Sequence, residues 1–168
     1  MLSVIIETLN SERPLACTLS GLVPAVVEGL LRRVTVIDHG SGDGTALVAE
    51  GAGCAFHGLA ERDVALNGIR TDWVLFLKPG AMPQEGWGEA VRRHMEGGAG
   101  PARFSLPEEG RLGNIRKIFG GGPSLDAGLL VRLDLVQPLF LEGIGSDDLP
   151  RRLKPLRLKH RILPPERH

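Results

Sequence analysis

Val36-Ile37-Asp38-His39-Gly40-Ser41-Gly42-Asp43-Gly44-Thr45 is the stretch that decides how this chain reads. A β-branched apolar run ends in a carboxylate, and a glycine-rich turn follows, the pattern of a buried strand delivered into a helix. Glycines suit such a turn because it needs positive φ. The turn is not a P-loop, since Thr45 follows Gly44 with no lysine between them. A dinucleotide fingerprint also fails, because its third glycine falls on Thr45. A calcium loop starting at Asp38 would need oxygen ligands at Gly40 and Gly42, which have none. Standing alone, the stretch is equally a tight structural turn.

Working outward, Ser3–Leu9 is another apolar run suited to a strand buried on both faces. Ser11 is a good N-cap, Pro14 fits the first helical turn, and Leu15, Leu19 and Leu22 keep helical spacing. Pro24 is expected to restart a second helical stretch through Leu31. After Val34–Asp38, a helix is expected near Ala46–Gly51, a short strand at Cys54–His57 and a helix at Arg62–Arg70. Trp73-Val74-Leu75-Phe76-Leu77 reads as a strong strand, and Pro83 as the start of a helix toward Met95 with Trp87 and Val91 on one face. Strands alternating with helices over short links predict an α/β fold with a parallel sheet. Past residue 97 the rhythm weakens. Ala127–Leu133 and Leu156–Leu163 read as strands, Asp147–Leu153 as a short helix, and the segment Gly97 to Pro123 as the place for a mobile loop.

At 168 residues, one domain over 1–168 is the default. With 42% hydrophobic and 24% charged residues the chain is globular rather than disordered. Equal numbers of acids and bases, and aromatics at only 4%, argue against a nucleic-acid partner, which needs basic surface and rings for stacking. Cys17 and Cys54 are too few for a zinc site or a disulfide framework, and both are expected reduced in the interior. No apolar run is long enough for a membrane span, and Met1-Leu2-Ser3-Val4-Ile5-Ile6-Glu7 lacks a basic leader, so the expected place is the cytoplasm. Residues 151–168 hold seven Lys and Arg against Glu166, a charge of +6 balanced by −6 in the rest. Such a tail reads either as a solvated edge strand or as peripheral membrane contact with anionic headgroups.

Three blocks together carry a resemblance. Ser3-Val4-Ile5-Ile6-Glu7-Thr8-Leu9-Asn10, then Val36 to Thr45, then Trp73 to Leu77 resemble the family 2 glycosyltransferases, with their S-V-I-I-P-T-x-N, V-V-D-D-G-S-x-D-G-T and strand ending in D-x-D. The resemblance is strong over residues 3–96 and scattered from Leu125 to Leu153. It implies the GT-A fold, a mostly parallel sheet with helices on both faces. It also implies a bacterial-style, Rossmann-like transferase that moves a sugar from a nucleotide-sugar donor to an unidentified acceptor, with inversion. Residues 1–96 would be the nucleotide-binding half, and 97–168 a reduced acceptor half ending in the basic tail. A trimmed acceptor side or an oligomer that completes it would account for the short length. The alternative is a catalytically degenerate relative that binds a nucleotide or a partner; a dinucleotide oxidoreductase is disfavoured by the glycine spacing.

Carried over residue by residue, the resemblance puts Thr8 and Asn10 against base and ribose and Asp38 on the imino N–H of the base, with His39 beside it. Asp38 reads equally as a carboxylate satisfied by its own turn. Arg62, in Arg62-Asp63-Val64-Ala65-Leu66-Asn67, matches an arginine that approaches donor phosphate; its rival is an ion pair with Glu61, Asp63 or Asp72. Glu7 stands where the family has proline, and His39 where it has a second acid. The D-x-D falls on Lys78-Pro79-Gly80, which offers no side-chain oxygen, so the usual Mg²⁺ or Mn²⁺ site is expected to be absent. Lys78 is then either a substitute for the ion or the start of a surface turn. The family's E-D base falls on Gly145-Ser146, leaving Asp147 or Asp148 as the catalytic base only if the register slips; both equally suit the first turn of a helix capped by Ser146. Asp126, in Asp126-Ala127-Gly128-Leu129-Leu130-Val131-Arg132, would face the acceptor or serve a turn.

Overall fold

In the computed structural model, which describes residues 1–98, 100–107 and 122–166, β1 (Leu2–Thr8) lies at the centre of the parallel strands. Its side chains alternate between two cores. Val4 and Ile6 enter one with Leu15, Leu22 and Ala25 of α1 (Glu12–Val27), while Ile5 enters the other. Both faces of the strand are dry, which is why its sequence is continuously apolar.

The chain then lays down β2 (Leu31–Asp38), α2 (Thr45–Gly51), β3 (Ala55–Gly58), α3 (Arg62–Asn67) and β4 (Trp73–Leu77). There follow β5 (Met82–Pro83), α4 (Trp87–Glu96), β6 (Ala102–Ser105), β7 (Leu129–Arg132), α5 (Leu133–Leu141), α6 (Leu149–Leu153) and β8 (Leu156–Leu163). The sheet order is β3-β2-β1-β4-β7-β6-β8-β5. Strands β3, β2, β1 and β4 are parallel. Strand β7 reverses against β4, β6 reverses against β7, and β8 runs parallel to β6. The first core packs α1, α4 and Ala49 of α2 on one face; the second packs Ala65 and Leu66 of α3, Val136 of α5 and Leu149 of α6 on the other. The fold is thus α/β with helices on both faces; its run of four adjacent parallel strands belongs to the first half of the chain, and the second half is mixed.

Several expectations need correction. Pro24 does not restart a helix: α1 runs through it to Val27, a turn at Gly29 (φ 68) follows, and Leu31 opens β2. Pro83 pairs with Ile162 in a two-residue strand, and the helix begins at Trp87. The helix at Arg62 stops at Asn67. Strand β8 lies next to last in the sheet: β6 pairs with it from Leu156 to Arg161, and the two-residue β5 meets only Ile162 and Leu163 on its other side, so most of β8 keeps the exposed character expected of an edge. Cys17 is exposed rather than interior, whereas Cys54 is half-buried against the first core; both are free thiols. Within Gly97 to Pro123, Ala102–Ser105 is a strand; residues 108–121 of that segment lie outside the described residues. Trp73 and Trp87 are both buried. Among the described residues no helix is long and apolar enough to cross a membrane.

Candidate functional site

Strand order reverses between β1 and β4: the chain builds β2 and β3 on one side of β1, then crosses to place β4 on the other. In parallel sheets a crevice opens at such a point, beyond the carboxyl ends of the strands. Here a cleft of about 160 Å³ is lined by Ile5 and Glu7 of β1, by Phe76 and Leu77 of β4 with Lys78 beyond it, and by Ser11, Leu125, Ser146 and Asp147.

Lys78 leaves β4 directly after Leu77, whose register partner is Ile6. Its Nζ lies 3.2 Å from Asp126 Oδ1 and 3.1 Å from Asp147 Oδ1. Desolvation pulls the ammonium's pKa down, but Asp147 and Asp126 outweigh it and raise Lys78 above the ordinary lysine value. The two carboxylates differ in setting: the Asp126 side chain is 22% exposed and that of Asp147 is 72% exposed. Asp148 turns elsewhere, to Arg151 at 3.8 Å. The turn Gly145 to Leu149 explains this split, since a 3₁₀ turn at Ser146–Asp148 sends consecutive side chains in different directions.

Glu7 is the hub of a second cluster. Its Oε1 accepts from Arg62 Nη2 at 2.9 Å and from the Ser146 hydroxyl, and its Oε2 pairs with His39 Nε2 at 2.9 Å. Arg62 also donates to Ser146 Oγ at 3.2 Å, and its guanidinium lies 4.1 Å from the centre of the Phe140 ring. Its Nε is buried with no hydrogen-bond partner among the described residues. The ion-pair partner of Arg62 is therefore Glu7, not Glu61, Asp63 or Asp72. The departures at Glu7 and His39 answer each other as an acid and a base on neighbouring strand ends. The sequence carried a signal for this, two opposite replacements in adjacent motifs, but none for Phe140, and Ser146, expected as a helix cap, gives its hydroxyl to Glu7 instead.

The loops after β1 and β2 are laced together. Thr8 Oγ1 donates to Asp38 Oδ1 at 2.9 Å, in register across the two strands. Asp38 further accepts from the N–H groups of Gly40 (3.1 Å) and Ser41 (2.8 Å) and from the Ser41 hydroxyl (2.5 Å). Burial pushes the Asp38 carboxyl up, but these bonds from Ser41, Thr8 and Gly40 outweigh it and hold it below the usual carboxylate range. Asn10 adopts φ 48 and its side-chain oxygen accepts from Gly42 N at 2.8 Å. Ser11 sits at the N-cap of α1, yet its hydroxyl turns back to the Leu9 carbonyl. The first donors of α1 are instead met from the other loop: Thr45 Oγ1 accepts from Ser11 N at 2.9 Å and Asp43 Oδ2 from Glu12 N at 3.1 Å. Glu12 Oε2 in turn accepts from Gly44 N at 3.1 Å, and a Cβ on Gly44 would stand 2.6 Å from the Glu12 carboxyl carbon. A side chain at this position would displace the Glu12 carboxylate and break its bond to the Gly44 N–H. Thr8, Asn10, Asp38, His39 and Arg62 thus gather at the ends of β1 and β2, while Lys78, Asp126 and Asp147 gather at the end of β4.

Chemically, the cleft offers the ammonium of Lys78, held by two carboxylates, while the guanidinium of Arg62 stands behind the lining residues Glu7 and Ser146 and is bonded to both. Among the described residues no three His, Cys, Asp or Glu side chains gather to hold a metal ion.

No family model matches the sequence, and no curated protein matches it. Solved structures do match. Glucosyl-3-phosphoglycerate synthase from Mycobacterium tuberculosis, in complex with Mn²⁺, UDP and glucosyl-3-phosphoglycerate, superposes with TM-score 0.68 at 17% identity, covering 100% of this chain and 73% of the other. The same enzyme with phosphoglyceric acid gives TM-score 0.68 at 18% identity, over 100% and 72%. With Mn²⁺, UDP and phosphoglyceric acid it gives TM-score 0.61 at 20% identity, over 81% of this chain and 57% of that one. The chain therefore spans between 57% and 73% of the length of these structures. Switch-point crevice, helices on both faces and superposition agree: the chain has the GT-A fold of the nucleotide-sugar transferases.

Proposed function

We propose that the chain binds a nucleoside-diphosphate sugar in the crevice between β1 and β4 and transfers the sugar, with inversion, to an acceptor. Lys78 carries the reading: it brings an ammonium into the switch-point crevice of a GT-A sheet, where Asp126 and Asp147 hold it. Glycosyl transfer builds negative charge on the departing diphosphate, and a preorganised cation stabilises it. Among the similar structures are ones solved with Mn²⁺ or Mg²⁺ and UDP. The residues here do not fit such an ion. Lys78-Pro79-Gly80 supplies no side-chain oxygen, and the nearby carboxylates of Asp126 and Asp147 are bridged by an ammonium. In this reading Lys78 supplies the charge, Arg62 steers the diphosphate, and Thr8, Asn10, Asp38 and His39 border the base and ribose. Asp126 faces the acceptor. Of the two candidate bases Asp147 is preferred, since it lines the cleft and Asp148 does not.

UDP, GDP and dTDP titrated calorimetrically, each in EDTA and in Mn²⁺, test this. Binding of one of them, equally tight in EDTA, is expected, with UDP the first candidate because the similar structures hold it. Failure of all three overturns the reading.

A second reading, a degenerate relative that binds but does not transfer, is favoured by the lacing of the first two loops. The oxygens of Asp38 and the side-chain oxygen of Asn10 are spent within the protein. The cleft is also smaller than the roughly 300–1,000 Å³ usual for ligand pockets. Nucleotide binding without any hydrolysis of the matching nucleotide sugar would select this reading. The basic strand adds a peripheral proposal: Arg157, Lys159 and Arg161 are exposed, alternate with inward Leu158 and Ile162, and suit an anionic bilayer. Sedimentation with phosphatidylserine vesicles but not phosphatidylcholine is the expected result, and no sedimentation with either removes the proposal.

A further inference from the structure

Lys78 is not presented to the crevice as a bare cation. It is shared by two carboxylates of unequal freedom, and this inequality has a consequence for how an anion enters. The Asp126 side chain belongs to the turn Leu125–Ala127, where Leu125 and Ala127 are buried, and is itself 22% exposed. The Asp147 side chain is 72% exposed, lines the cleft and reaches Lys78 from a turn 21 positions further along the chain. A diphosphate and the Asp147 carboxylate are both anions, and both compete for the same ammonium. Release of Asp147 leaves Lys78 held by Asp126, with the place of the departed carboxylate open to a phosphate oxygen. Releasing the exposed partner costs little, because an exposed ion pair is worth at most about 1 kcal/mol. Releasing Asp126 costs more and would free the lysine stem that it aims.

We propose that Asp126 and Asp147 act on Lys78 in opposite senses: Asp126 is the positioning residue that holds the ammonium in the crevice, and Asp147 is a displaceable carboxylate that a diphosphate must replace. The proposal rests on the assignment of the crevice to a nucleoside diphosphate. It adds that anion exchange at a tethered ammonium, rather than capture of an ion, is the binding step. No bond to carbon or phosphorus forms or breaks in it; one carboxylate leaves the ammonium and one phosphate oxygen takes its place.

The test is a set of UDP titrations in EDTA on the full chain. Asp147→Asn is expected to lower the Kd by about fivefold, the equivalent of one exposed ion pair removed from competition. Asp126→Asn is expected to raise it by at least about threefold, since a poorly aimed ammonium binds less well. Asp148→Asn removes the same charge from the same turn but faces Arg151, and is expected to change the Kd less than twofold. Uridine, which has no phosphate, is expected to bind all the variants and the parent alike, which a merely structural disturbance would not allow. Asp147→Ala repeats the first arm should the asparagine find a new partner. Equal tightening by Asp147→Asn and Asp148→Asn would overturn the exchange, because the effect would then be general charge. Looser binding in both Asp147→Asn and Asp147→Ala would also overturn it. Absence of UDP binding in the parent and every variant would instead overturn the crevice assignment itself, so the two failures are told apart.

Discussion

The ends of the parallel strands carry two polar regions that are built differently. Around Asn10 to Glu12 and Asp38 to Thr45, side chains answer backbone groups of the facing loop. Asp38 closes its own turn, Asp43 and Thr45 cap a helix they do not belong to, and Glu12 repays Gly44. Around Lys78 the groups answer one another across a cleft, and Asp147 stands mostly in water. The first region spends its hydrogen bonds on shape. The second keeps charges that a ligand can exchange. A site needs both, because exchangeable groups are useful only when the strand ends that carry them do not move.

Breaking the fixed region should cost stability, and breaking the exchangeable one should not. The largest loss is expected for Glu7→Ala, which strips the carboxylate from an Arg62 side chain only 20% exposed; urea unfolding should show a drop of about 3 kcal/mol. Asp38→Ala leaves the Gly40 and Ser41 donors and the Thr8 hydroxyl without their acceptor, and about 2 kcal/mol is expected on the same measurement. Asp38 also sets an acid limit. Its folded pKa lies below the unfolded 3.8, so its contribution is complete above that value and fades as pH falls through the depressed one. Asp38→Asn should flatten that part of the acid unfolding curve. Gly44→Ala pushes the mobile Glu12 carboxyl aside and severs one bond, about 1 kcal/mol. Lys78→Ala should change stability least, by under about 1 kcal/mol, yet remove most diphosphate affinity. A stability loss at Lys78 larger than at Asp38 would erase the distinction between the regions.

Much of the fold was legible because burial leaves a pattern. Strands β1, β4 and β8 were readable from apolar runs, and α4 from Trp87 and Val91 on one face. Helix α5 was not, since it follows Arg132 without a break, lacks a side-chain cap and contains Pro138. Strands β5 and β6 are too short to show a period, and the reversal of β7 depends on pairing that local sequence does not encode. In the site, Lys78 was marked by its place against a known motif. For Glu7 and His39 the two opposite replacements were visible but their meeting was not, because the contact spans 32 positions and depends on the register of β1 against β2. Ser11 misled for a related reason: its donors are capped from a loop more than 30 positions away.

The central claim is that an ammonium carried by the chain does the work of a bound ion. Hydrolysis of a UDP-sugar by the parent and by Lys78→Ala, each in EDTA and in Mn²⁺, tests it most directly. Turnover that persists in EDTA and collapses in Lys78→Ala is the predicted result. Turnover that requires Mn²⁺, or that survives loss of the lysine in EDTA, would contradict it.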